Sequence, residues 1–269
     1  MKFRIMPAIR FTTLAALAAS PILVRAQMPA VQSPASKSAI SAPADPHDLS
    51  GMWEFFANIP GQGIYATPSP TPPPMTAWAK AKYDQAKPGY GPKAQAGGND
   101  PILKCFPSGI PRIIFFPQPL EIVQSPERVF MFFEREHEFR QVWTDGRSHS
   151  PDAAPTWMGD SIGKWDGDTF VVDTVGLTEK SWLDFYGDPH SDDIHLIERY
   201  KRVDHDTMTV QFIVDDPKAY TATWTGDIKT YKLLKGKKAY MDELPCIPEE
   251  EDSFTNRIRM PAAGLQPKK

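Results

Sequence analysis

Apolar and polar positions change their rhythm partway along this chain. From Ile110 onward they fall into short runs of strand length separated by turn residues, the pattern of a half-buried sheet. Before that point only Gly51-Met52-Trp53-Glu54-Phe55-Phe56 reads as a strand. Proline dominates from Pro60 to Pro74, and a helix is predicted from Met75 to about Ala86. It starts after Pro72-Pro73-Pro74, stops before Pro88-Gly89, and offers Trp78 and Tyr83 for docking. Gly89 to Pro101 reads as loop, and Ile113 to Phe116 as a short apolar run closed by Pro117 and Pro119.

Leu120–Gln124 and Val129–Arg135 flank the turn Ser125–Arg128, and Phe139–Thr144 follows, ending in Asp145-Gly146. Ser161–Trp165 and Thr169–Thr174 flank Asp166-Gly167, a strong hairpin signal because both turn residues tolerate positive φ. Ile194–Arg202 and Thr207–Val214 surround Asp204-His205-Asp206, and Tyr220–Thr225 and Ile228–Leu233 surround Gly226-Asp227. A succession of about eight to ten short strands joined by tight turns must close or stack to bury its faces. The expected fold is mainly β: an antiparallel up-and-down β-barrel, lipocalin-like, with a Pro-rich N-terminal insertion and one short helix. It occupies residues 48–269 as one domain, with the insertion and helix at 57–100 and a charged tail, 235–269, wrapping the surface.

The first residues read differently. Lys2, Arg4 and Arg10 precede an apolar stretch from Phe11 to Val24, and Val24-Arg25-Ala26 closes it. Cationic start, short apolar middle and small-residue exit are the parts of a cleavable signal peptide, assigned to residues 1–26. The apolar stretch is shorter than the roughly 20 residues that span a bilayer. Residues 27–47, rich in Ala, Ser, Pro and Gln, read as a disordered leader. The expected location is periplasmic or secreted, without membrane insertion after cleavage.

Composition narrows the partners. A formal net charge of −3 and no basic stripe remove electrostatic support for nucleic-acid binding. Seven Trp, eight Tyr and fifteen Phe are enough for a core or an apolar pocket. The two cysteines, Cys105 and Cys246, are expected to form a disulfide in an oxidising compartment; the alternative is two buried thiols.

The motif series is Asp48-Leu49-Ser50-Gly51-Met52-Trp53, Trp143-Thr144-Asp145-Gly146-Arg147, Pro155-Thr156-Trp157-Met158-Gly159, Gly167-Asp168-Thr169 into Val171-Val172-Asp173-Thr174, and Pro189-His190-Ser191 through His195. It resembles a largely uncharacterised family of secreted bacterial proteins across nearly all of the chain after the signal. The resemblance implies a shared fold and export, and no activity. A second likeness is to lipocalin-type (calycin) barrels, which carry Gly-x-Trp on the first strand where Gly51-Met52-Trp53 stands. It implies a cup for a small apolar molecule.

Candidate chemistry concentrates in loops. Asp184 to His195 holds His190, His195, Asp184, Asp188, Asp192 and Asp193. Imidazole exchanges protons near neutral pH, and a neighbouring carboxylate fixes its tautomer. The catalytic candidates are His195 and His190 for proton exchange, Asp184 to orient an imidazole, and Arg147 to receive developing negative charge. The substrate-binding candidates are His149, Trp157, Trp182 and Tyr186. His149, His190, Asp192 and His195 are suitable metal-ligand types, but the His190–His195 spacing matches no helical ligand motif; no cofactor is assigned, and a metal ion held by these residues is kept as an alternative. The Gly-x-x-x-x-Gly-Lys-Ser/Thr phosphate loop is absent.

These features point to an exported small-molecule-binding barrel acting by acid–base chemistry, as a lyase, isomerase or hydrolase, on a small apolar or aromatic compound. The alternative is a non-catalytic periplasmic carrier using the same cup. A third reading is an envelope interaction protein docking through the Pro-rich segment 60–74. The discriminating expectation is that His149, His190, His195 and Arg147 converge on one pocket.

Overall fold

The computed structural model describes residues 45–56, 67–95, 97–152, 154–262 and 264. The signal segment 1–26, residues 27–44 of the leader and residues 57–66 of the Pro-rich insertion lie outside the described residues.

Ten strands form among the described residues: β1 (Gly51–Phe55), β2 (Leu120–Gln124), β3 (Arg128–Phe133), β4 (Phe139–Trp143), β5 (Asp160–Asp166), β6 (Thr169–Val175), β7 (His195–Asp204), β8 (Thr207–Asp215), β9 (Trp224–Thr225) and β10 (Lys229–Leu233). Neighbours in sequence are neighbours in space from β1 to β8, and β10 bonds both β8 and β1. The registers Tyr231↔Met208 and Trp53↔Leu233 close a barrel of nine strands, with β9 attached to the end of β8. Every pair in the ring is antiparallel except β4 and β5, which run the same way and touch at Trp143↔Ile162. The connection between those two, residues 144–159, must therefore return along the barrel before β5 begins.

The hairpins expected at 125–128, 166–167 and 204–206 form. The pair expected around Gly226-Asp227 does not. Gly226 N–H donates to Phe212 O at 2.8 Å and Asp227 N–H to Pro68 O at 2.9 Å, so both residues are held by other segments. A Cβ on Gly226 would stand 2.9 Å from Pro68 O, a spacing only glycine allows. β10 is thereby freed from β9 to complete the ring.

The predicted helix is α1 (Ala77–Gln85), capped by Thr76, whose hydroxyl accepts from Ala79 N–H at 3.3 Å. The apolar run before β2 becomes a single 3₁₀ turn, Arg112–Phe115, with all four residues buried. It plugs the barrel: Tyr231 Oη donates to Ile114 O at 2.8 Å, and Phe115 meets Phe212 edge-on at 4.8 Å between ring centres. Alternation on each strand turns Trp53, Ile122, Met131, Val142, Phe170, Val172, Leu196, Val210 and Phe212 inward. The inside is a packed core rather than an open cup. Gly163 contributes to that packing, because a Cβ there would lie 2.4 Å from the Phe170 ring.

The core is not wholly apolar. Arg140 is 1 % exposed and donates to Glu198 Oε2 at 2.5 Å, to Thr174 Oγ1 at 2.7 Å and to Ser161 Oγ at 3.2 Å. Tyr200 Oη donates to Glu198 Oε1 at 3.0 Å. The Glu198 charge raises the arginine above its ordinary value against the opposing desolvation.

The tail carries a second helix, α2 (Pro248–Phe254), continued through Thr255–Arg259, rather than loop alone. Cys105 and Cys246 form the expected disulfide, with Cα atoms 5.4 Å apart across 141 residues of chain. No helix among the described residues is long and apolar enough to cross a membrane.

Candidate functional site

Three adjacent strands present polar side chains on one outer wall. Ile162 faces Asp173 across β5–β6, and Asp173 faces Ile197 across β6–β7. Side chains alternate along a strand, so Asp160, two residues before Ile162, and His195, two before Ile197, share the face of Asp173 as its diagonal neighbours. The inward residues on either side, Ser161, Thr174 and Leu196, are buried.

The returning 144–159 connection lays His149 over this wall. Its Nδ1 is 3.2 Å from Asp160 Oδ2 and its Nε2 is 3.2 Å from Asp173 Oδ1. Asp160 Oδ2 also accepts Ser150 N–H at 2.8 Å, which pins the loop beside the histidine. His195 Nε2 is in direct hydrogen-bond contact with the same Asp173 Oδ1. One carboxylate oxygen thus serves two imidazoles, and a second carboxylate holds the far nitrogen of one of them. A neutral imidazole has a single N–H and an imidazolium has two, so the proton count on His149 determines how many of its two carboxylates it can satisfy. The group is partly open to solvent, with the His195 side chain 44 % and His149 22 % exposed.

Arg147 lies on the same connection but outside this contact. It is held by Asp145, with Nε donating at 2.9 Å, and its guanidinium stacks 3.5 Å from the centre of the Trp143 ring. The hydrogen bond to Asp145 and, less, the charge of Asp160 favour its protonated form.

His190 and Asp184 stand elsewhere. His190 is fully buried, with Nε2 3.0 Å from Ser181 Oγ and Nδ1 donating to Ser191 O at 3.0 Å. Burial lowers its pKa below the ordinary 6.5. Asp184 is also fully buried; its Oδ1 accepts Tyr186 N–H at 2.8 Å and Asp188 N–H at 3.1 Å, which folds the 184–188 turn rather than orienting an imidazole. Desolvation raises Asp184, and the neighbouring Asp188, desolvated beside that carboxyl, is pushed up to about 10. Of the four residues expected to converge on one pocket, His149 and His195 share a carboxylate oxygen on the outer wall, and His190 and Arg147 stand apart from them.

The aromatic candidates are spread apart. Trp157 tilts against Phe106 with ring centres 6.0 Å apart, and its carbonyl accepts Ile110 N–H at 3.1 Å. Trp182 lies 5.4 Å from the buried Arg112 guanidinium. Tyr186 covers Gly91, where a Cβ would fall 2.3 Å from its ring. None of the three lines the His149–His195 cluster by any of these contacts.

Asp160 and Asp173 are the members that the sequence reading passed over. Their signal was present: Asp173 interrupts Phe170-Val171-Val172 with a charge at an outward position of a strong strand. Among the described residues no group of three or more His, Cys, Asp or Glu side chains is arranged to hold a metal ion.

Fold and site together define a mainly β protein: a filled nine-strand barrel bearing an imidazole–carboxylate cluster on its outer wall. Comparison of the chain with protein families, with curated proteins and with solved structures found no match.

Proposed function

We propose that this protein is an exported acid–base enzyme that uses no organic cofactor and acts on a small apolar or aromatic compound at the His149–Asp173–His195 cluster. The observation that carries the reading is the sharing of Asp173 Oδ1 by two imidazoles from different elements, with Asp160 behind one of them. His195, the more exposed ring, exchanges the proton with substrate. Asp173 fixes its orientation and balances positive charge that develops on it, and His149 is a second proton carrier on the same oxygen. Arg147, on the same connection as His149, offers its guanidinium to an anionic group on the open side. A lyase, isomerase or hydrolase fits these parts. Export is supported by the disulfide, which suits an oxidising compartment, and by the motif resemblance to secreted bacterial proteins. The alternative is a non-catalytic carrier, favoured by ligand binding that survives loss of both histidines with no product formed.

The test is product formation from a panel of small aromatic and apolar esters, lactones and unsaturated acids, followed by mass spectrometry. The native protein converts a member of the panel, and both His195→Ala and Asp173→Asn lose the conversion while retaining their melting temperature. A product formed equally by folded His195→Ala would sink the assignment.

A further inference from the structure

A cavity of about 660 Å³ shares no lining residue with the outer-wall cluster. Its walls come from the 89–103 segment, from the residues just ahead of β2, from Phe185, from Arg135 after β3, and from the C-terminal helix through Glu251 and Arg259. Its size falls within the few hundred to about a thousand Å³ of small-molecule sites. Two of these walls are tied covalently: Cys105 follows the lining residues Ile102 and Leu103, and its partner Cys246 stands just before α2. A disulfide between two walls of one cavity holds its shape before any ligand arrives, which lowers the ordering cost of binding.

Arg135 supplies a polar end. Its guanidinium lies 5.1 Å from the centre of the Phe116 ring, itself a lining side chain, so the charge stands at the cavity wall. Its Nε donates to Glu136 Oε1 at 3.4 Å. Glu136 does not depend on that contact, because Ser108 N–H and Oγ–H each donate to its carboxylate at 2.9 Å. The two terminal nitrogens of Arg135 make no hydrogen bond among the described residues, and neither is sealed from solvent. Two such nitrogens form a fork that matches a carboxylate end-on. The neighbouring arginines are committed elsewhere: Arg112 gives both terminal nitrogens to Asp100, and Arg259 donates to Thr255 Oγ1 at 2.7 Å beside Glu251.

Aromatic rings supply the other end. Phe116 meets Phe185 edge-on at 4.5 Å, and Tyr90, an exposed side chain, meets Phe185 edge-on at 5.8 Å. The ring surface therefore begins beside the Arg135 guanidinium. We infer that this cavity binds a small aromatic carboxylate, with its carboxylate on Arg135 Nη1 and Nη2 and its ring against Tyr90 and Phe185. The inference stands apart from the His149–Asp173–His195 reading and does not depend on it.

The test uses the full chain and calorimetric titration at pH 7 with a matched pair of probes, 2-naphthoate and 2-naphthamide, which share a shape and differ in charge. The native protein binds one 2-naphthoate and prefers it to 2-naphthamide by about tenfold or more, the ratio expected for hydrogen bonds between charged groups. Arg135→Gln removes the preference, and Arg135→Lys, which keeps the charge without the fork, cuts it several-fold. Tyr90→Ala, at an exposed side chain, weakens both probes. His195→Ala binds 2-naphthoate as the native protein does. Absence of 2-naphthoate binding, equal affinity for the two probes, or a preference undiminished in whichever folded Arg135 variant is measured overturns the proposal. Loss of 2-naphthoate binding in folded His195→Ala also overturns it, because the site would then lie on the outer wall.

Discussion

His195 on β7 and Asp173 on β6 are joined across the outer wall of the barrel, and the same aspartate oxygen also receives His149 from the returning connection. Substituting Asp173→Asn should perturb both rings at once. Imidazole ¹⁵N spectra should show the His149 and His195 signals moving together while those of buried His190 stay fixed. The cost in stability should be small, within about 1 kcal/mol, because these groups are partly solvated. A variant in which only one of the two signals moves would show that the oxygen is not shared in solution.

The Arg140–Glu198 pair inside the barrel makes a different demand. Arg140→Met leaves Glu198 buried without its countercharge and should cost about 3–5 kcal/mol in urea unfolding. The double variant Arg140→Met/Glu198→Gln should recover much of that loss. A single variant as stable as the native protein would mean that water reaches Glu198.

Asp188 links stability to alkaline pH. Its folded pKa, about 10, lies above the ordinary 3.8, so between those values the unfolded chain has released a proton that the folded one keeps. This group's contribution to stability is complete below the unfolded value and falls as pH rises toward the folded one. Asp188→Asn, which keeps a neutral side chain at all pH, should flatten that decline and raise the melting temperature at pH 8 more than at pH 5. Parallel stability–pH curves for the two proteins would contradict the assignment.

His190 acts at the acid end. Burial holds its folded pKa below 6.5, so its contribution is intact above 6.5 and is lost as pH falls through that value toward the folded one. His190→Gln should remove this part of the acid sensitivity, read as a melting temperature that changes less between pH 7 and pH 5 than that of the native protein.

The disulfide closes a loop of 141 residues. In the chain-entropy account Cys105→Ser/Cys246→Ser should lower stability by up to about 5 kcal/mol, measured by denaturant unfolding. Loss of much less would place the effect in the native state of the tail instead.

Much of the barrel was legible because strand alternation and Asp-Gly turns are local signals. Asp166-Gly167 fixed the β5–β6 hairpin by itself. The Gly226-Asp227 pair shows the limit of that logic. Its turn chemistry is as good, yet Pro68 and Phe212, far away in sequence, take its hydrogen bonds. The site was half legible for a similar reason. His149 and His195 were visible as imidazoles among acids, but the dense 184–195 segment drew Asp184 and His190 into the same group. The fold buries those two and brings Asp160 and Asp173, from strands that read as plain structure, into their place. Which carboxylate meets which histidine is set by strand register, and register is a pairwise property that no single segment carries.

Nine is an odd number, and a ring of strands that alternate up and down closes only when their count is even. One seam where neighbours point the same way is forced on this barrel, and it falls between β4 and β5. A chain crossing such a seam cannot use a tight turn; it has to travel back outside the wall to start again. That obligatory detour carries His149 to Asp160 and Asp173. A short hairpin at that seam would take His149 away from Asp160 and Asp173 and leave the His195–Asp173 contact across β6–β7 in place.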